Sequence, residues 1–499
     1  MLFYKNSIWT RKKMKKITCK IFSVLSILIM LLLLVPSLDC EASIVSEQIN
    51  GWQQINKDGF GSKENAGIRG IEIFNGSVVI GTANFNDKSG IVLDKPMTIR
   101  DFLFEYRENG SALNNYKSNG CEIWAYNETA FRPIVAENGL MSPGFGNKEN
   151  AEIGIIIKFG DYLYAGTRNY VDGCQIWRTN DLDSEWENVI DDGFGNINNT
   201  WTMEAQIFKD YLYIGTFNMR GTEIYRTNDG VTWEQVVGND SIMKSGFGTH
   251  KNFYAWSMCV LNDILYVGTN NGEYGGELWK SADGVNWTPI ISNFEGALYP
   301  LDFTENGGYH GGIRNMVAYN NELYLGFTAE DTLFNFGLKK FERFKIGIPI
   351  ALPKKHSLLR KMKTMGLEIY KFNDNTNELT MVIGGLFRGV FSGGFGDDYN
   401  EYPWSMNVYN DVLYVGTSHP FSYDIVFERV GFLKYEVTVK VPIGGELWRY
   451  DGTSCGQINS DGFGDLYNTG IRELTVYNGK LIAGTLNVKT GCELWKCDL

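Results

Sequence analysis

Histidine is scarce in this chain. The 499 residues include four (His250, His310, His356 and His419), with neither a His-x-His nor a His-Glu-x-x-His arrangement. The cysteines lack the paired spacing of zinc ligands, so no metal site of the transition-metal kind is expected. No phosphate-binding Gly loop and no nucleophile elbow occurs, which removes the nucleotide-binding and serine-hydrolase classes that those motifs mark. Apolar runs long enough to span a bilayer are missing outside the leader. A basic surplus is missing as well: the formal charge is -12, the opposite of a nucleic-acid binder's electrostatic footprint. No cofactor is implied. Calcium alone stays open, because Asp181 and Asp183 resemble the start of a calcium loop without its following Gly.

What is present begins with a leader. Lys5, Arg11, Lys12, Lys13, Lys15, Lys16 and Lys20 precede the apolar run Ile21 to Val35, followed by Pro36 and the small residues Ala42 and Ser43. That order is the order of a secretory signal peptide, residues 1–42, with an uncleaved anchor as the alternative. Without it the formal charge falls from -12 to -17, a balance that favours solubility. The expected location is secreted or at the cell surface or envelope, with membrane contact only through a retained leader. Six cysteines lie beyond it, and Cys121, Cys174 and Cys492 share one repeat position. Equivalent positions on sheets about 10 Å apart exceed the roughly 7 Å Cα reach of a disulfide, so these three read as small buried residues.

A repeat organises residues 43–499, read as a single domain. Leu265-Tyr266-Val267-Gly268-Thr269 has counterparts at Val78 to Thr82, Leu163 to Thr167, Leu212 to Thr216, Leu323 to Phe327, Leu413 to Thr417 and Leu481 to Thr485. Each follows an Asn and an alternating apolar stretch, and precedes a Gly-x-Glu-aliphatic-aromatic run such as Glu277-Leu278-Trp279. A fourth run begins at an aromatic and leads into Gly-Phe-Gly. Short β-type runs separated by Asn, Asp and Gly turns predict an all-β fold, a seven-bladed β-propeller of four-stranded antiparallel blades, with six or eight blades as alternatives. The last unit stops after its third strand, and residues 52–56 read as a fourth strand lacking its first three. The expectation is a ring closed by that N-terminal strand, which removes a free sheet edge.

The turn between third and fourth strands carries a family resemblance. Thr227-Asn228-Asp229-Gly230-Val231-Thr232-Trp233 and Ser281-Ala282-Asp283-Gly284-Val285-Asn286-Trp287 resemble the Asp-box hairpin of sialidase-like propellers, and Thr179 to Trp186, with Asp181, is a third, less regular copy. The resemblance implies structural roles for Asp181, Asp229, Trp233, Asp283 and Trp287: the Asp fastens the turn and the Trp packs below it. Sialidases use an arginine triad with a Tyr nucleophile, so the resemblance also draws attention to Arg69, Arg314, Arg472 and Tyr309.

Departures from the repeat locate the candidate site. Long insertions at about 84–119, 328–365 and 418–443 all fall between second and third strands, so antiparallel connectivity places them on one face. The second is locally basic, from Lys339 to Lys363. On the innermost strand, Arg69, Gly154, Met203, Trp256, Arg314, Trp404 and Arg472 share one position. Arginine binds carboxylate or sulfate oxygens bidentately and Trp offers an apolar face to a sugar; the plainer reading ties each Arg to a neighbouring acid. Just before Arg314, Tyr309 and His310 stand in a loop that replaces Gly-Phe-Gly. The sequence therefore favours a monomeric, exported, non-enzymatic propeller that binds a glycan or a surface protein through its insertion-bearing face, with no nucleic-acid partner. A glycoside hydrolase or lyase acting on an acidic sugar is the first alternative, and a structural envelope component the second.

Overall fold

The computed structural model describes residues 51–84, 118–271, 275–300, 310–329, 366–384, 391–397, 400–419 and 444–498. All belong to the compact unit Ser46–Leu499. The leader, most of the three insertions and Tyr309 lie outside the described residues. Among the described residues no helix is long and apolar enough to cross a membrane. Regular structure there is β-strand, with short 3-10 turns between strands.

The strands form consecutive antiparallel meanders. The unit that follows residue 250 shows the pattern: Tyr254–Leu261, Ile264–Asn270, Leu278–Ser281 and Thr288–Ile291, each paired with the next. The fourth strands of the fifth and sixth units are Glu378–Ile383 and Cys455–Asn459. Gln53 and Gln54 pair antiparallel with Lys496 and Trp495. The rim residue of one meander bridges to the first strand of the next, as in Ala83 to Glu152, Arg168 to Trp201 and Phe217 to Tyr254. Sheets stacked side by side around their first strands are the arrangement of a β-propeller.

A buried asparagine explains the recurring motifs. Asn252 donates to the Gly246 carbonyl (3.0 Å) and to Glu277 Oε2 (2.7 Å), and its Oδ1 accepts from Thr269 Oγ1 (3.3 Å) and Asn271 Nδ2 (3.0 Å). Thr269 Oγ1 also accepts the Glu277 N–H at 2.9 Å, and Trp279 Nε1 donates to Glu277 Oε2 at 2.8 Å. Gly246 belongs to the loop from the preceding meander, Thr269 ends the second strand and Glu277 opens the third. One amide therefore joins three segments with all four of its hydrogen-bonding positions filled. Burial pushes the Glu277 carboxyl up from its ordinary range while the Trp279 and Asn252 donors oppose it. The same set recurs around Asn65, Asn150, Asn199 and Asn468.

The Gly-Phe-Gly loop supplies the apolar half of the joint. Phe247 sits at φ +55°, in the left-handed region, as do Phe60, Phe145, Phe194, Phe395 and Phe463. That conformation costs a bulky residue on the order of 1–2 kcal/mol. It lays the Phe247 ring against Trp279 of the next meander at 4.9 Å and edge-on to Trp287 at 5.5 Å. Stacking of this kind is worth roughly 0.5–1.5 kcal/mol beyond the area buried, enough with burial to hold the strained turn.

The turns between third and fourth strands at Asp229 and Asp283 are held by those carboxylates. Asp229 Oδ1 accepts the N–H groups of Val231 (2.8 Å) and Thr232 (2.7 Å), and Asp283 Oδ1 those of Val285 (2.9 Å) and Asn286 (2.8 Å). Asp181 makes a looser version through the Asp183 N–H at 3.0 Å. Trp233 and Trp287 pack edge-on to Phe194 and Phe247. Cys121, Cys174 and Cys492 are free, fully buried thiols, and burial raises their pKa, as expected of small core residues.

Asn252→Ala should destabilise the protein by about 3 kcal/mol. It leaves the Glu277 carboxyl, the Gly246 carbonyl and the Thr269 hydroxyl without a shared partner in the interior. The midpoint of chemical unfolding checks this, and a loss below about 0.5 kcal/mol, the scale of an ordinary surface substitution, would remove the joint from its central place.

Candidate functional site: a charged cavity on the innermost strands

Each first strand carries a β-bulge where the sequence aligns its unusual residues. The ladder runs from Ile153 to Ile155 without pairing Gly154, and likewise passes over Met203, Trp256, Arg314, Trp404 and Arg472. In the first unit Arg69 and Gly70 lie in the corresponding gap. A bulge turns a side chain out of the strand's alternation. Large and small residues then alternate between neighbours. A Cβ on Gly312 would lie 2.6 Å from Trp256, and one on Gly470 2.4 Å from Trp404, so glycine is what lets those indoles cross the next strand.

Arg69 and Arg472 are committed to internal partners. Glu152, completely buried, accepts a hydrogen bond from Arg472 and lies 3.9 Å from Arg69 Nη1 and 2.8 Å from Arg168 Nη1. Arg69 also donates to the carbonyls of Gly154 (3.1 Å) and Met203 (2.9 Å). Trp201 closes the cluster, with the guanidinium carbons of Arg69 and Arg168 4.8 and 4.6 Å from its ring centre. Burial favours a neutral Glu152, but the attraction of Arg472, Arg168 and Arg69 outweighs it and holds the carboxyl below its usual range. The plainer reading of the arginines therefore holds for these two.

Arg314 differs. Its residue is 5% exposed, its guanidinium lies 5.5 Å from the Trp256 ring centre, and it forms no hydrogen bond or ion pair with another of the described residues. Burial, then the nearby charges of Arg69 and Arg472, lower its pKa to about 9, so it stays charged at neutral pH. It lines a cavity of about 190 Å³ together with Arg69, Asn315, Trp404, Glu204 and Glu473. Burial raises the Glu204 pKa to about 7, opposed by the Ala205 N–H and by Arg69 and Arg314. Burial raises Glu473 too, against the attraction of the same two arginines. Every lining residue sits at the bulge or beyond it along its strand. The cavity thus extends from the arginine layer toward the strand ends, away from the face from which the insertions rise.

Of the sequence-selected residues, the structure gathers Arg69, Arg314, Arg472, Trp256 and Trp404. His310 goes elsewhere. It stands four residues before Arg314, where other units have the scaffold Asn, and its Nε2 is 3.1 Å from Glu368 Oε2, the counterpart of Glu277. Phe327 takes the place of the repeat's Thr and packs 4.8 Å from the His310 ring. His310 is a variant of the joint rather than a cavity residue, and the sequence spacing would have shown this. Glu152, Arg168, Trp201, Glu204 and Glu473 were not singled out from sequence. For the three carboxylates the signal lay in the same alignment: Glu152 stands two residues before the bulge, where other units carry Gly, Trp or Tyr, and Glu204 and Glu473 one after it, where others carry Gly, Ile, Ser or Asn.

Two outcomes follow from this geometry. Arg472→Met should cost roughly 3 kcal/mol, because it strands part of the charge of buried Glu152, whereas Arg314→Met should leave stability level or higher; thermal melts of the two variants compare them. For Glu204, the folded pKa of about 7 lies above the ordinary 4.5, so the folded state holds the extra proton. Its contribution is full below pH 4.5 and is lost as pH rises through 7. Glu204→Gln should therefore flatten the fall in stability across that window, by about 1 kcal/mol given its place on the cavity wall, in unfolding curves taken at both ends.

No protein-family model matches the chain, and no curated protein matches it. Among solved structures it is similar to the extracellular domain of a hybrid two-component system from B. thetaiotaomicron, at 12% identity and a TM-score of 0.46 over 89% of this chain. The chain spans 41% of that protein's length. It is also similar to the β-propeller domain of the Trilobed protease from Pyrococcus furiosus, at 10% identity and a TM-score of 0.41, covering 87% of this chain and 95% of that one. Sqt1 from Saccharomyces cerevisiae gives 8% identity and 0.40, covering 90% and 98%. Likenesses at this level carry no argument about activity, and the propeller arrangement rests on the strand pairings themselves.

Proposed function

We propose that the protein is an exported, non-enzymatic propeller of seven blades that binds an acidic glycan, seating a carboxylate or sulfate against Arg314 in the central cavity. Ring closure by residues 52–56 is supported by the pairing of Gln53 and Gln54 with Lys496 and Trp495, and by Gly67 pairing with Leu486 across the join. Export rests on the leader.

One observation carries the binding reading: the guanidinium of a residue 5% exposed lines a cavity and has no acceptor among the described residues. An isolated buried charge costs several kcal/mol, and proteins satisfy such groups unless something else does. Arg69 and Arg472 show that this fold can satisfy an arginine at the same position. Trp256 and Trp404 add apolar faces beside the charge. The cavity is smaller than the roughly 300 Å³ of a drug-sized site, so it takes one small charged group rather than a length of polymer. The direction in which it extends favours approach from the face of the strand-one hairpins, not from the insertions.

Glu204 keeps a second reading in play. A carboxyl with a pKa of about 7 beside a cation is suited to general-acid work on an acidic sugar. The purified chain, incubated with acidic and neutral glycans and read for both binding and released product, separates the two. Expected is binding of the acidic set without turnover, weakened at least about 10-fold in Arg314→Met, the scale of one charge-assisted hydrogen bond. Turnover that Glu204→Gln abolishes would establish the hydrolase or lyase instead, and equal binding by wild type and Arg314→Met would sink the cavity as the ligand site.

A further inference from the structure

The sixth unit departs from the repeat at a second place, on the opposite side of the arginine layer from the cavity. Two residues after the Gly-Thr pair, five units carry Asn: Asn84, Asn169, Asn218, Asn271 and Asn487. The sixth carries His419. In the last unit the Asn is fully used: Asn487 donates to Asn468 Oδ1 at 3.1 Å and to Asp465 Oδ2 at 3.0 Å. In the sixth, His419 is 3% exposed and neither ring nitrogen has a hydrogen-bond partner. Its Nε2 stands 4.0 Å from Asp397 Oδ2, too far for a hydrogen bond. Glu446, from the start of the third strand, is the third member, and donor atoms of His419, Asp397 and Glu446 all lie within 4.8 Å of one another.

We infer that Asp397, His419 and Glu446 bind one divalent transition-metal ion of the zinc class. One imidazole and two carboxylates are a zinc-type donor set, and water would complete the tetrahedron. In a tetrahedron, ligands about 2.0–2.2 Å from the metal lie roughly 3.4 Å apart, so a pair at the 4.8 Å limit would have to close by about 1.4 Å. Asp397 can supply that movement, since its side chain is 35% exposed. The Glu446 hydrogen bonds from Asn400 and Trp448 both fall on Oε2 and fix the carboxylate's orientation, with Gln457 also close to the group. His419 thus stands beside two carboxylates with neither ring nitrogen bonded, at a position that five other units fill with Asn. His419 and Glu446 also flank segment 420–443 in the sequence, so the ion would tie together the two ends of that insertion.

The test uses the untagged full chain, stripped with chelator and titrated with zinc chloride by calorimetry, with bound metal counted by mass spectrometry. Wild type should take up one equivalent. His419→Asn installs the residue found at this position in five other units; it should fold and bind zinc roughly 100-fold or more weakly. Asp397→Asn, placing on a partly exposed loop the residue that Asn147 provides in the second unit, is the companion variant. Magnesium and calcium, which favour all-oxygen sites, should compete poorly. No uptake by wild type at micromolar zinc, or equal uptake by both variants, overturns the assignment.

Discussion

A single buried amide sets the terms for the rest of this structure. Each scaffold Asn must find two acceptors and two donors in an interior where leaving any of them unmet costs on the order of 1–3 kcal/mol. It finds them on a Gly carbonyl from the preceding meander, a Thr at the end of the second strand, a Glu at the start of the third, and a neighbouring Asn. The recurrence of Gly-Thr in the pentapeptide follows from this. Thr is there for its hydroxyl, and the Gly before it for clearance: a Cβ on Gly268 would come within 2.7 Å of Ile313 on the next strand. The Glu is held ready for its two donors by the Trp or Tyr two residues on. Because the amide joins segments of successive meanders, the repeat is stabilised at its junctions, where side-by-side packing alone leaves relative position loosely specified.

With the junctions fixed, the inner strands are free to vary. The bulged position faces the other first strands, so its side chain is chosen by fit to them: Trp256 over Gly312 and Gly154 against Trp201 on the next strand, Arg472 reaching Glu152 beyond the adjacent unit. That is how a scaffold this repetitive carries one charged centre. The same reasoning explains the fifth and sixth units. Where His310 replaces the scaffold Asn, its other partners change with it, Thr to Phe327 and Trp to Tyr370, and the joint is rebuilt around a ring. Where His419 enters the sixth unit, the rest of the joint stays as it was, with Asn400 still bonded to Glu446 and Thr417. A rebuilt joint reads as structure; a joint left intact beside an unsatisfied imidazole reads as a site.

The strand order, the bulged positions and the Asp-fastened turns were legible in the sequence because each depends on spacing within some fifty residues. The pentapeptide fixed the phase, and counting back from it brought Arg69, Arg314 and Arg472 to one position. What was not legible depends on pairs far apart in the chain. Glu152 is 320 residues from Arg472, and no local pattern says that one arginine will be neutralised while Arg314 is not. His419 was passed over for the same reason: its companions stand on two other segments, and motif spacing registers only ligands on one. His310 is different, since its register alone, four residues before Arg314, marks it as the replacement for the scaffold Asn.

The arginine layer raises the question of why evolution would keep three guanidiniums so close. Mutual repulsion and burial both work against them, as the lowered pKa values of Arg69 and Arg314 record. Glu152 compensates Arg69, Arg168 and Arg472 with a single negative charge, and the carboxyls nearest Arg314, Glu204 and Glu473, are themselves pushed toward the neutral form by burial. The layer is therefore short of negative charge on its cavity side. A bound carboxylate or sulfate would supply it, gaining from the low dielectric that makes the empty arrangement costly. On the proposed reading, the free energy that burial of Arg314 costs is what a bound anion would recover, so affinity in the cavity would draw on the stability that the junctions provide.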